Sequence, residues 1–370
     1  MLWHHRAVKL AVRRSIPLLV LAVVSLSADS LDDFYQRVIK ERNIPSTTIA
    51  VVKDGKLVKV GAYGTADLER GIPAKPETVY KIGSVSKQFI AAGVMLLVQD
   101  GRLSVNDPVS KYIPSAPASW KAITLRHLLT HSSGLVREPI GFDPNTLQPD
   151  LDVIKSAFAT PLQWTPGDKY DYSNLGYYTL AEVIRVVSNK PWDRFLEERI
   201  FSPLGMTSTR TTSADRARVP GYLWMNGRHT KADDWISLRP SGAFVSSVLD
   251  MAKWAAALQE DRILTAASKA VMWTPVTLND GGSFPYGFGW ELDDFPPGGF
   301  TTGVRLVRHE GTIPGFRGVI AHFPDHRLGV IALTNLDRAQ VDSLVAGAAV
   351  QFVPDLRPAA LRRWTPAQLP

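Results

Sequence analysis

Along residues 31–43 apolar side chains return at Leu31, Phe34, Val38 and Ile39. That 3.6-residue rhythm predicts an amphipathic helix, which Pro45 ends. Two β-rich runs follow, 47–53 and 56–63, joined by Asp54-Gly55. An Asp-Gly pair between apolar runs is a strong hairpin signal. After a turn-rich loop at 64–78, residues 84–100 place Phe89, Ile90, Ala92, Met95 and Leu96 at helical spacing, with Gly101 as the expected stop. A helix this apolar is expected to be central and buried. Between 103 and about 240 the pattern changes. Helical segments are predicted at 109–112, 125–130, 150–157, 176–188 and 191–200, separated by Pro- and Gly-rich loops, with little strand signal. A helix at 248–259 leads into a second β-rich stretch, with strands expected at 286–292, 303–310, 315–323 and 328–335. Pro324-Asp325-His326-Arg327 reads as a hairpin turn, and 342–353 as a closing helix.

The fold class implied is α+β. One central antiparallel sheet is built from both chain ends and flanked by helices, and a mostly helical insertion covers it. The expected division is a catalytic domain over 28–352, its α/β part at about 28–102 and 241–352, its helical insertion at about 103–240. A Pro- and Arg-rich tail follows at 353–370. At the other end, Arg6, Lys9, Arg13 and Arg14 precede an apolar run from Ile16 to Leu26, and Ser25 and Ser27 stand at −3 and −1 of a cut after residue 27. This is the pattern of a signal peptide, with an uncleaved anchor as the alternative. It implies an exported protein, periplasmic or secreted, with no stable membrane span once the leader is removed.

Composition adjusts this picture in two places. The formal charge of +7 belongs mostly to the leader: without its four basic residues, 38 Lys+Arg stand against 35 Asp+Glu. Nothing in that balance points to nucleic acid. The chain has no cysteine, which removes disulfides, a thiol nucleophile and thiolate metal sites together.

The candidate chemistry starts at Ser84 and Lys87, three residues apart and so on one face of a helix. A serine at a helix start feels the positive end of the dipole, and a desolvated lysine one turn on can take its proton. Read alone, the pair is first of all a helix cap beside a solvated lysine, and only the rest of the chain overturns that. Tyr172 and Asn174, two apart before a helix, can face one cleft. Beside a lysine ammonium the anionic form of Tyr172 is favoured, fitting it as a proton relay, and Asn174 offers an amide to substrate or to Lys87. His309-Glu310-Gly311-Thr312 ends a predicted strand. Gly311 clears the way for close approach, and the N–H of Thr312 can pair with that of Ser84 as an oxyanion hole.

The order S-x-x-K, Y-x-N, H-x-G resembles the serine β-lactamase and penicillin-binding-protein superfamily. Leu125-Arg126-His127-Leu128-Leu129-Thr130-His131-Ser132-Ser133-Gly134-Leu135 is similar to the signature of its class C β-lactamase-related group, which includes D-alanyl-D-alanine carboxypeptidases, D-aminopeptidases and carboxylesterases. So are Tyr172–Tyr177, Pro203-Leu204-Gly205-Met206 and Tyr286-Gly287-Phe288-Gly289-Trp290. The resemblance spans roughly 31–352. It implies a β-lactamase/transpeptidase-like fold with the active site in the cleft between sheet and helical part. It implies a serine hydrolase with Ser84 as nucleophile, Lys87 and Tyr172 sharing base and acid work, and Asn174, His309, Gly311 and Thr312 binding substrate. It implies no cofactor and no metal. The partner expected is a small-molecule or peptidoglycan-like substrate; oligomeric state stays open.

His309 departs from the lysine of K-T-G. As an ordinary histidine it would be a weak, pH-dependent cation favouring carboxylate substrates below about pH 7. Arg305, Arg308 and Arg317 are candidates to restore the charge. Esterase or D-peptidase activity is thus at least as well supported as β-lactam hydrolysis. The rival is a silent or slowly acylating relative that binds peptidoglycan or β-lactams. A Ser-His-Asp hydrolase lacks its G-x-S-x-G, and a zinc site at His127 and His131 lacks the glutamate after the first histidine.

Overall fold

The computed structural model describes residues 31–211, 218–242, 244–294 and 303–352. The leader expected at 1–27 and the tail at 353–370 lie outside the described residues. Among the described residues no helix is long and apolar enough to cross a membrane.

Helix α1 spans Leu31–Glu41, and the Asp54-Gly55 hairpin joins β1, Ser46–Lys53, to β2, Lys56–Asp67, with a short β3 at Ile72–Pro73. The chain's far end supplies β4, Glu291–Asp294, β5, Arg305–Ile313, β6, Phe316–Phe323, and β7, Leu328–Thr334. These form one antiparallel sheet in the order β4-β5-β6-β7-β1-β2-β3, so the N-terminal hairpin joins directly onto the last strand, with Thr47 opposite Thr334. Both chain ends build the sheet, as the alternation predicts.

Strand β1 is buried from Ser46 to Val52 without a break, because both sheet faces are covered. Ile49 and Val51 pack with α1 and the C-terminal helix, Val341–Phe352, while Ala50 and Val52 turn to the opposite core. That second core is organised around α2, Lys87–Gln99, in which every residue from Lys87 to Leu97 is buried. Long helices Asn174–Ser188 and Val248–Gln259 pack around it.

Three expectations change. Ser84 does not open the α-helix: residues Gly83–Ser86 form a single 3-10 turn, and α2 proper starts at Lys87. Gly83 takes φ +54, and the Ser86 hydroxyl donates to Gly83 O at 2.6 Å, which holds the tight turn. The strand expected at 286–292 begins only at Glu291, because Tyr286–Trp290 is a buried turn. A Cβ on Gly287 would stand 2.0 Å from Met272 O, a close backbone approach rather than sheet pairing. Finally, the insertion carries a hairpin, Tyr222–Met225 with Arg228–Lys231, turned at Asn226-Gly227.

Candidate functional site

The 3-10 turn and the start of α2 bring Ser84 and Lys87 together, with Lys87 Nζ 3.2 Å from Ser84 Oγ. Lys87 is fully buried, and its other contacts are the Asn174 Oδ1 at 2.8 Å and the Ser241 carbonyl at 2.6 Å. The two shorter contacts are with oxygens that only accept. The longer one is with a hydroxyl that can donate in return. A neutral lysine can therefore give both protons to Asn174 and Ser241 and turn its lone pair to Ser84. Burial pushes the Lys87 ammonium well below its ordinary range, and the positive charge of Arg137 adds to this, against a smaller opposing pull from Glu138.

Tyr172 and Asn174 flank Ser173, whose hydroxyl caps the helix at Asn174–Ser188 by accepting from Gly176 N–H at 3.1 Å. The Tyr172 ring lies under Lys87 Nζ, 4.6 Å from the centroid, and its hydroxyl lies close enough to the Ser84 side chain to feel it. Its phenol is raised well above its ordinary range, chiefly by burial. Burial thus outweighs the expected stabilisation of the anion, and the Tyr172 phenol is held in its neutral form. Asn174 Nδ2 donates to Glu138 Oε1 at 2.6 Å, and Arg137 also lies over the Tyr172 ring, its guanidinium 5.2 Å from the ring centre. Arg137 and Glu138 thus stand at the mouth of the site, with 64% and 31% of their side chains exposed.

The strand β5 forms the opposite wall. A Cβ on Gly311 would lie 1.9 Å from Ile82 O and 2.9 Å from the Ser84 nitrogen, and one on Gly83 would lie 2.7 Å from the Thr312 nitrogen. Only glycine at both places lets the two backbones run this close, and the N–H groups of Ser84 and Thr312 come into one neighbourhood as a result.

His309 corrects the expectation of a weak cation. It is buried at 1% exposure and its pKa is pushed down to about 3, first by desolvation and then by the Lys87 charge. Both its nitrogens are engaged, Nδ1 with Glu310 O at 2.6 Å and Nε2 with the Tyr286 hydroxyl at 2.9 Å. Arg308 and Arg317 do not replace the charge, since both are bound to Glu310, and Arg308 also meets Glu291 and Asp342. His127 and His131 do not share a site: His127 Nδ1 accepts from Thr124 N–H in a helix cap, while His131 faces Ser173 and Tyr286.

Ser84, Lys87, Tyr172, Asn174, Gly311 and Thr312 therefore converge, and His309 lies beneath them. Glu138, Tyr286 and the Ser241 carbonyl are additions that spacing did not show. Tyr286 stood in a quoted motif without a role, and a backbone carbonyl carries no residue signal.

Comparison with known proteins supplies relatives for the sequence and the fold. Penicillin-binding protein 4* of Bacillus subtilis is 29% identical over 311 residues, covering 78% of this chain and 67% of its own. Protein flp of Staphylococcus aureus is 26% identical over 341 residues, covering 88% of this chain and 67% of its own. The octameric penicillin-binding protein homologue from Pyrococcus abyssi superposes with a TM-score of 0.75 at 28% identity, covering 88% of this chain and 76% of that one. D-amino acid amidase from Ochrobactrum anthropi SV3 shares the fold at a TM-score of 0.73 and 23% identity, covering 87% of this chain and all of that one (100%). The model of the family described as Beta-lactamase matches residues 31–353, a span that contains the whole sheet and every side chain of the cleft, and the chain belongs to that family.

Proposed function

We propose that the protein is a serine hydrolase that forms an acyl-enzyme at Ser84 and acts on amides or esters of amine-bearing, D-configured amino acids in preference to β-lactams. The family is one of β-lactamase-fold serine hydrolases. The observation that carries the reading is the setting of Lys87, a buried lysine held only by neutral oxygens, one of which is the Ser84 hydroxyl.

In this mechanism Ser84 Oγ gives its proton to Lys87 Nζ and attacks the substrate carbonyl carbon. The carbonyl oxygen becomes an oxyanion facing the N–H groups of Ser84 and Thr312. Tyr172, neutral and in contact with Ser84, donates to the departing amine or alkoxide as the C–N or C–O bond breaks, and the proton on Lys87 restores the phenol. Water then repeats the sequence on the acyl-enzyme and frees Ser84. Asn174 orients Lys87 and the substrate amide.

Substrate preference follows from charge. With His309 uncharged and Arg308 and Arg317 bound to Glu310, none of these three gives a ready grip for the carboxylate of a penicillin. Glu138 holds Asn174 through Oε1, which also meets Arg137 at 3.5 Å, and its other carboxylate oxygen suits a substrate ammonium. Among the structural neighbours, the D-amino acid amidase and the D-stereospecific amidohydrolase from Streptomyces sp. carry D-amino-acid activities in their names.

The test is a panel on purified protein: D-amino-acid amides and their L-enantiomers, D-Ala-D-Ala peptides, p-nitrophenyl esters and a chromogenic cephalosporin. Turnover of a D-amide or an ester, lost in Ser84→Ala together with the acyl adduct seen by intact mass, is the expected result. Survival of turnover in Ser84→Ala overturns the assignment. A single equivalent of acylation without turnover would instead mark a silent penicillin-binding-like protein.

A further inference from the structure

His131, Tyr286 and His309 come from three separate segments and meet in one buried line. The Ser173 N–H donates to His131 Nδ1 at 3.1 Å. His131 Nε2 lies 3.2 Å from the Tyr286 hydroxyl, which lies 2.9 Å from His309 Nε2, and His309 Nδ1 lies 2.6 Å from Glu310 O. All three side chains are at or below 1% exposure.

The two ends settle every proton between them. Ser173 N–H can only donate, so His131 Nδ1 is bare and its proton sits on Nε2, where it points at Tyr286. Glu310 O can only accept, so His309 carries its proton on Nδ1 and leaves Nε2 to take the Tyr286 hydrogen. The tyrosine hydroxyl accepts from one histidine and donates to the other. The line therefore runs in one direction, from Ser173 N–H to Glu310 O.

Its ends matter more than its middle. Ser173 lies between Tyr172 and Asn174 on the helical wall of the cleft. Glu310 immediately precedes Gly311 and Thr312 on the sheet wall. The Tyr286 ring also packs on His131 at 4.8 Å between centroids, which leaves the hydroxyl little freedom to leave the line.

We infer that His131 and Tyr286 are positioning residues, a one-way hydrogen-bonded strap that joins the two walls of the cleft and sets the distance between the Tyr172–Asn174 wall and the Gly311–Thr312 strand. The inference rests on the reading of that cleft as the catalytic one. It gives His309 a part that needs no charge: it is the anchor of the strap on β5. The strap acts through backbone, and its loss lets Thr312 drift from the place where an oxyanion forms. A misplacement of about 1 Å at a reacting centre can cost on the order of a hundredfold in rate.

The experiment joins two independent readings. Imidazole-15N-labelled protein is examined by long-range 1H–15N correlation spectra. His131 is expected as the Nε2–H tautomer and His309 as the Nδ1–H tautomer. In Tyr286→Phe, which keeps the ring and removes the hydroxyl, the Nε2 shifts of both histidines should move together. His322, also buried but outside the line, serves as the unshifted control. The same variant should lose roughly tenfold to a hundredfold in kcat on whichever substrate the wild type turns over, with KM changed much less. The reversed tautomer at either histidine, or a Tyr286→Phe protein whose kcat stands at the wild-type level, overturns the inference. If Tyr286→Phe fails to fold, His131→Gln, whose amide can still reach Ser173, gives the same comparison of His309 shifts. The spectra need no turnover, so a wild-type protein with the expected tautomers but no hydrolysis would fault the catalytic reading and leave the strap standing.

Discussion

Two buried lysines bracket Ser84, Lys81 just before the 3-10 turn and Lys87 just after it, at 1% and 0% exposure. Lys81 Nζ donates to Asp234 Oδ1 at 2.5 Å and to Trp235 O at 2.6 Å, and Asp234 is shared with Arg218. Desolvation lowers the Lys81 ammonium, and the Asp234 carboxylate pulls it back up. Lys87 is desolvated still more deeply and has no carboxylate in contact: an amide oxygen, a carbonyl and a hydroxyl surround it. Burial alone therefore does not make a base. A lysine paired with a carboxylate is kept charged and holds structure, whereas one surrounded by neutral acceptors can shed its proton without leaving a carboxylate unpaired. Lys81 ties the Asp234–Trp235 loop to the approach of the nucleophile, and Lys87 works on it.

The largest break in that comparison is Lys87→Met. Turnover is expected to fall by on the order of 10³-fold or more, since a general base is removed, while the circular dichroism spectrum stays that of a folded chain. Measurable hydrolysis at near wild-type rate would put the base elsewhere. Lys81→Met should do the reverse. Asp234 keeps Arg218 and remains half in solvent, so the change should cost about 1–3 kcal/mol in urea unfolding and leave kcat within about tenfold.

The smallest effect is the sharpest in sign. Only the neutral form of Lys87 takes the Ser84 proton, so kcat/KM should rise with pH through the Lys87 ionisation. Its midpoint should lie well under the ordinary lysine value of about 10.4. Arg137 lowers that ionisation and Glu138 raises it. Arg137→Gln should thus move the limb to higher pH and Glu138→Gln to lower pH. Shifts in the same direction would mean that neither charge acts on Lys87.

How much of this was legible in the sequence varies with the reach of each signal. The sheet was readable because Asp54-Gly55 and the apolar runs that flank it are local, and so are the β6 and β7 runs around Pro324–Arg327. The Asn226-Gly227 hairpin carried an equally local signal, but its strands are four residues long and include exposed Met225 and Arg228, which hid the alternation. At the site, Ser84, Lys87, Tyr172 and Asn174 announced themselves by spacing. The charge state of His309 did not, because it depends on burial and on Lys87, more than two hundred residues earlier in the chain. The neutral state of Tyr172 was hidden for the same reason: proximity to a lysine was readable, and the burial that outweighs it was not.

The place of β1 in the sheet has a consequence for how the molecule is made. Ser46 closes on Asn335 through both its backbone N–H and its hydroxyl, a separation of 289 residues. The N-terminal hairpin emerges from the ribosome early and has one long edge with nothing to pair with until almost the entire chain has been synthesised. Its partner strand is among the last to appear. Such a topology carries a high contact order and folds slowly, with an apolar edge open in the interval. Shortening the chain before β7 would leave the hairpin, α1 and the whole far half of the sheet without the seam that joins them.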